Sequence, residues 1–136
     1  VESSFARRVK ALGLPLDQVI VIGSGVLAEH EIRQARDVDL VVPKSLFAKL
    51  EQDAMWKRGF QGSASYALEK GDVEVWTDWS TDGTGHPTYE DLLKVSELID
   101  GIRFITLEYL EKRKLERGTE KDLLDVRKIH EYKEKL

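Results

Sequence analysis

Short apolar runs, broken by glycine and proline, recur along this chain and predict a sequence of alternating helices and strands. Phe5, Val9 and Leu12 fall on one face of a helix that Ser4 caps and Gly13 ends. Val19-Ile20-Val21-Ile22 is a continuous β-branched run that stops at Gly23-Ser24-Gly25, a buried strand followed by a tight turn. A short helix is expected around Val26–Glu31. Val38, Leu40, Val41 and Val42 make a second strand, terminated by Pro43. Leu46, Phe47, Leu50 and Met55 form the apolar stripe of a helix from Ser45 to about Lys57. Tyr66–Lys70 and Asp72–Thr77 flank Gly71 as an antiparallel hairpin.

The stretch Ser80–Thr88 is a loop by composition. A helix through Tyr89, Leu92 and Leu93 follows, then a strand at Ile102–Thr106 and two helices divided at Gly118. Thr119 and Asp122 have capping-box spacing, with Leu123, Val126 and Ile129 as the stripe to be buried. The sum is α+β: a small mixed β-sheet with helices packed against it. With 136 residues, no repeat and no low-complexity linker, residues 1–136 read as one domain.

Composition narrows the chemistry. The chain has no cysteine, which excludes thiol nucleophiles, disulfides and thiolate metal sites. No apolar run approaches the roughly 20 residues of a spanning helix, so no membrane partner is expected, and the expected location is cytoplasmic. The net charge of −4 argues against indiscriminate nucleic-acid binding. Charge is uneven, however: residues 69–101 carry nine acidic and two basic side chains, a set that includes candidate ligands for a hard cation.

The informative stretch is Val19 to Val42. Asp37-Val38-Asp39 heads a strand, and strand alternation puts both carboxylates on one face, roughly 6.5–7 Å apart. Carboxylates that close repel, and a cation relieves the cost. Mg²⁺ takes oxygen ligands and keeps phosphate oxygens or waters in its shell. Gly23-Ser24-Gly25 lets a backbone approach phosphate, and Ser24 adds a hydroxyl donor. Each feature is common alone; their joint placement at the ends of two apolar strands is not.

The order strand, Gly-Ser, helix, Asp-x-Asp, strand resembles the signature of the nucleotidyltransferase superfamily, the polymerase-beta-like fold. Residues Ile102–Asp125 resemble the tail of small bacterial members, including antibiotic-modifying ones. There a Leu-x-x-Leu-x-x-x-Lys helix precedes Arg and Lys-Asp-x-x-Asp, matched by Leu107, Leu110 and Lys114 and by Lys121, Asp122 and Asp125. The Arg117-to-Lys121 spacing is longer than the family's usual one. The resemblance implies a third carboxylate on a neighbouring strand. Glu74 is favoured because apolar residues flank it, although the family more often has Asp, and Asp72 shares its face.

That resemblance implies Mg²⁺-dependent transfer of a nucleoside monophosphate from a triphosphate, ATP by default, to an acceptor hydroxyl. Asp37, Asp39 and Glu74 would be the catalytic and metal-binding set, with Glu74 also a candidate general base. Gly23, Ser24, Lys114 and Lys121 would hold phosphates. Arg36, next to the pair, either reaches a phosphate or pairs with Asp37. The acceptor is open between a small molecule, tRNA and a protein side chain. The alternative is a catalytically weak or inactive module of the same fold acting with a partner protein, as in toxin–antitoxin pairs, or as a homodimer. A restriction-type nuclease would want Lys where Trp76 stands, and a Rossmann binder a glycine where Ala28 stands. His30 and His86 lack metal-ligand spacing. Trp56, Trp76 and Trp79 are expected in the core, and His130 beside a buried stripe.

Overall fold

The computed structural model describes residues 2–81 and 85–136. Among them six helices and seven strands form a mixed α+β structure. The helices are α1 (Ser4–Lys10), α2 (Ser24–Glu29), α3 (Lys44–Glu51), α4 (Tyr89–Leu93), α5 (Leu107–Arg117) and α6 (Glu120–Glu134). The strands are β1 (Ile20–Ile22), β2 (Val38–Val41), β3 (Lys57–Gln61), β4 (Tyr66–Lys70), β5 (Val73–Trp76), β6 (Ser96–Ile99) and β7 (Ile102–Ile105). They join in one sheet of order β3-β4-β5-β2-β1-β7-β6. The β2–β5 and β1–β7 pairs are parallel and the others antiparallel.

The central strands are the most apolar ones, as strands covered on both faces must be. Ile20, Val21 and Ile22 are all buried, and so are Leu40, Val41 and Val75 beside them. Phe5, Val9, Leu92, Leu110 and Ile129 bring the helices onto this centre. Trp56, Trp76 and Trp79 are buried, as their apolar settings predict. No helix among the described residues is long and apolar enough to cross a membrane.

Several local expectations are corrected. The cap of α1 is Ser3, whose hydroxyl accepts from the Ala6 N–H, and Ser4 is the first helical residue. Helix α3 stops at Glu51 because Asp53 turns the chain, its carboxylate accepting from the Met55 N–H at 2.9 Å. Met55 is therefore exposed, and Lys57 opens a strand instead of closing a helix. The edge strand β6 was not foreseen; it joins β7 through Asp100-Gly101, both at positive φ, the two-residue hairpin geometry.

Helix α6 has the expected capping box between Thr119 and Asp122. Its buried stripe, however, is Asp122, Asp125, Val126 and Ile129, at helical spacing i, i+3, i+4 and i+7. Leu123 lies off that stripe, half-exposed. His130 is exposed as well, its Nε2 3.1 Å from Glu111 Oε2. The expected loop at Ser80–Thr88 begins and ends as irregular backbone, with an isolated bridge between Asp78 and Thr88; its residues 82–84 lie outside the described residues.

Candidate active site

Strand pairing brings the two halves of the Val19–Val42 stretch together. Because β1 and β2 are antiparallel with Ile22 opposite Asp39, the chain leaves β1 for Gly23 beside the Asp39 carboxylate. Gly23 has φ +68°, and a Cβ there would lie 3.4 Å from Asp39 Oδ2. The positive φ is what calls for glycine, since a contact at 3.4 Å is ordinary packing. Ser24 follows as the first residue of α2. Parallel pairing of β2 with β5 then puts Glu74 directly opposite Asp39. Strands in register lie about 4.8 Å apart, so the two carboxylates are neighbours on one sheet face.

That row extends one strand further than the sequence suggested. Glu69 of β4 is opposite Glu74. Its Oε2 accepts from the Phe60 N–H at 3.1 Å, and its carboxylate lies where a Cβ on Gly59 would be, 2.0 Å from Glu69 Cδ. The register of β3 shifts between Arg58 and Gln61, a bulge that turns both Gly59 and Phe60 toward this face. Glu74 Oε1 accepts from Trp76 Nε1 at 3.3 Å. Burial chiefly, with the Glu69 and Asp37 charges adding to it, raises the Glu74 pKa above the ordinary carboxylate value despite the Trp76 hydrogen bond.

Asp37 is exposed just before β2, two residues from Asp39. Asp72, the other acid considered on the second strand, lies in the β4–β5 turn, where it pairs with Arg8 at 3.0 Å on the surface. Of the two, Glu74 is the one beside Asp39.

Asp37 and Asp39 border a cavity of about 700 Å³. Gly23 and Ser24 form part of its wall, and five basic side chains line it: Arg33, Arg36, Lys114, Arg117 and Lys121. Three of these are anchored by the two buried acids of α6. Asp125 accepts from Arg33 at 2.8 and 3.0 Å and pairs with Lys114 at 3.0 Å. Asp122 pairs with Arg117 at 2.8 Å and with Lys114 at 3.5 Å, and accepts from Thr119 Oγ1 at 2.7 Å. Burial would raise both carboxyls. For Asp122 the Thr119 hydrogen bonds and the Arg117 and Lys114 charges overcome that, and for Asp125 Arg33 and Lys114 do, so both titrate below the usual value. Three cations against two carboxylates leave the cluster one positive charge in excess.

All the residues the sequence singled out for phosphate therefore line one cavity, but in different states. Lys121 and Arg36 are exposed, whereas Lys114 is buried in ion pairs. Arg33 and Glu69 were missed: Arg33 sits in a polar run without a motif, and Glu69 is on a strand whose register the sequence does not display.

A second cavity of about 250 Å³ lies on the other side of Asp39, bounded by Gly23, Glu74, Phe60, Trp76 and Trp79. The histidines stand apart from both cavities. His30 packs against Tyr132, and the exposed His86 is 3.4 Å from Ser63 Oγ.

No group of three His, Cys, Asp or Glu side chains among the described residues is placed to hold a metal ion. Asp37 and Asp39 nonetheless suit Mg²⁺, which is commonly held by one or two carboxylates while phosphate oxygens and waters complete its shell. No family model, curated protein or solved structure matches this chain.

Proposed function

We propose that the protein is a Mg²⁺-dependent nucleotidyltransferase of the polymerase-beta-like fold, moving a nucleoside monophosphate from a triphosphate to an acceptor hydroxyl. One observation carries the reading: strand pairing sets Gly23–Ser24 and Asp39 together at a cavity lined by five basic side chains, with Glu74 opposite Asp39 on the next strand. A triphosphate needs such a neutralising wall, and 700 Å³ is within the range of small-molecule sites.

In this reading Arg36 and Lys121, the exposed cations, take the outer phosphates, and Ser24 donates to a phosphate oxygen. Arg33, Lys114 and Arg117 are held by Asp122 and Asp125, so their field is fixed before substrate arrives. Asp37 and Asp39 would hold Mg²⁺, which when bound withdraws charge from the phosphate oxygens. Glu74, with its raised pKa, accepts the proton of the attacking hydroxyl. The acceptor oxygen bonds to the α-phosphorus as the bond to pyrophosphate breaks, with the proton on Glu74.

Calorimetric titration of ATP and of GTP, with Mg²⁺ and with EDTA, tests this. Binding is expected only with Mg²⁺ and is expected to be lost in the Asp37→Asn/Asp39→Asn double variant. If a folded wild type binds no nucleotide under either condition, the enzymatic reading is wrong.

A second reading, a module of the same fold that acts with a partner protein, rests on a different observation. Leu115, Leu123 and Leu124 are about half-exposed on α5 and α6, and the latter two border a shallow cavity with Lys121. Apolar side chains grouped this way mark protein contacts.

A further inference from the structure

The 250 Å³ cavity shares Gly23 and Asp39 with the phosphate cavity but has the opposite character. Among the described residues its lining holds two carboxylates, Asp39 and Glu74, and no basic side chain. The remaining walls are largely flat: Phe60, Trp76 and Trp79. Phe60 is 56% exposed although it sits edge-on to Trp76, with centroids 6.0 Å apart. The β3 register shift lies at Phe60, which thereby joins this face beside the carboxylate row.

Trp79 is held rigidly. Arg113 lies over its ring at 4.4 Å and donates to its carbonyl at 3.1 Å, and Tyr109 packs against it. Yet the buried Trp79 Nε1–H has no hydrogen-bond partner among the described residues. A buried donor without a partner is unusual, and this one has no surface open to the cavity. As to size, a cavity of about 150 Å³ accommodates benzene, so 250 Å³ admits one substituted ring.

We propose that this cavity is the acceptor site, taking an uncharged, hydroxylated planar ring that packs on the exposed Phe60, with its hydroxyl toward Asp39 and Glu74. The inference rests on the transferase reading above. Asp39 borders both cavities, so donor and acceptor would meet beside it. The ring hydroxyl oxygen bonds to the α-phosphorus, pyrophosphate leaves, and the hydroxyl proton passes to Glu74. Anionic rings are disfavoured because the carboxylates repel them and no cation among the described lining residues offsets that.

The test compares 4-hydroxybenzamide with its isosteric anion 4-hydroxybenzoate by calorimetry at pH 7, alongside the ATP titration. The amide is expected to bind one to one and at least tenfold more tightly than the benzoate. Phe60→Ala, at a half-exposed site, is expected to keep the fold and weaken the amide at least fivefold. With α-labelled ATP and Mg²⁺, label is expected to move to the amide and not to the benzoate. Equal binding of the two rings, or indifference to Phe60→Ala, overturns the acceptor site. ATP binding that depends on Asp37 and Asp39 without ring binding overturns this inference and leaves the transferase reading intact. Ring binding with no ATP binding overturns both, leaving an aromatic pocket without a donor beside it.

Discussion

Arg33 and Asp125, 92 positions apart, meet in a two-pronged ion pair: Nε to Oδ1 at 2.8 Å and Nη2 to Oδ2 at 3.0 Å. The pair ties the segment leading into β2 to the inner face of α6, and Lys114 closes it from α5. Asp125 is 2% exposed, so its removal strips Arg33 of its carboxylate and leaves Lys114 to Asp122 alone, beside a buried void. Breaking a buried pair by deleting one partner costs about 3–5 kcal/mol. Asp125→Ala is therefore expected to lower the urea midpoint by an amount equivalent to at least about 3 kcal/mol. Asp125→Asn, which keeps the volume, should lose less. Unchanged midpoints in both would mean the cluster contributes no stability.

The two lysines of the cavity wall should separate stability from binding. Lys114 is buried between Asp122 and Asp125, whereas Lys121 is exposed. Lys114→Met leaves two buried carboxylates short of a cation and is expected to lower the melting temperature by several degrees. Lys121→Ala is expected to leave it unchanged and to weaken Mg²⁺-ATP binding about three- to tenfold, the value of a charge-assisted contact of about 1 kcal/mol. Equal effects of both changes on the melting curve would contradict this division.

Much of this was legible in the sequence, and what was not has identifiable physical reasons. The apolar runs marked the central strands because those are covered on both faces, and Gly23 and Asp39 were found because strand ends are punctuated. Edge strands gave weak signals. Lys57–Gln61 is polar and bulged, so alternation fails there, although Asp100-Gly101 did carry a hairpin signal for β6. Helix α6 misled because its inner stripe uses Asp122 and Asp125 where apolar residues are usual, and partners that neutralise them come from α5 and from the segment before β2. The opposition of Glu69, Glu74 and Asp39 depends on register between three strands, which no local pattern encodes.

That register makes a prediction about proton affinity. Glu74 is raised by burial first and by the neighbouring charges of Glu69 and Asp37 after it. Glu69→Gln removes one of those charges, so the Glu74 carboxyl is expected to titrate at lower pH in a ¹³C NMR titration. The acidic limb of any Glu74-dependent activity should move the same way. Gly59→Ala should do likewise by another route, since the new Cβ displaces the flexible end of Glu69. Its stability cost should stay below about 1 kcal/mol. An unmoved Glu74 titration in both variants would show that the opposed carboxylates do not communicate.

A second carboxyl, far from the site, should govern how stability varies with pH. Glu29 at the end of α2 accepts from Ser3 Oγ, and Ser3 N–H donates to Asp100 Oδ2 at 3.5 Å, so α1, α2 and the β6–β7 turn meet there. Burial, and the sharing of a proton with Asp100, push Glu29 up to about 7 from 4.5. Between those values the folded protein holds a proton that the unfolded chain has released, so stability falls as pH rises through that window. Below 4.5 both states are protonated and the penalty is absent; above about 7 it is fully present. Asp100 is lowered instead, and its opposite contribution is lost only as pH falls below 3.8, outside this window. Glu29→Gln removes the titrating group while keeping a partner for Ser3. Urea midpoints measured from pH 4.5 to 8 should therefore decline less in Glu29→Gln than in the wild type, with the two curves furthest apart at the alkaline end. Glu74, also raised, declines equally in both proteins and cancels from that difference. Parallel curves would mean that Glu29 gains no proton affinity on folding.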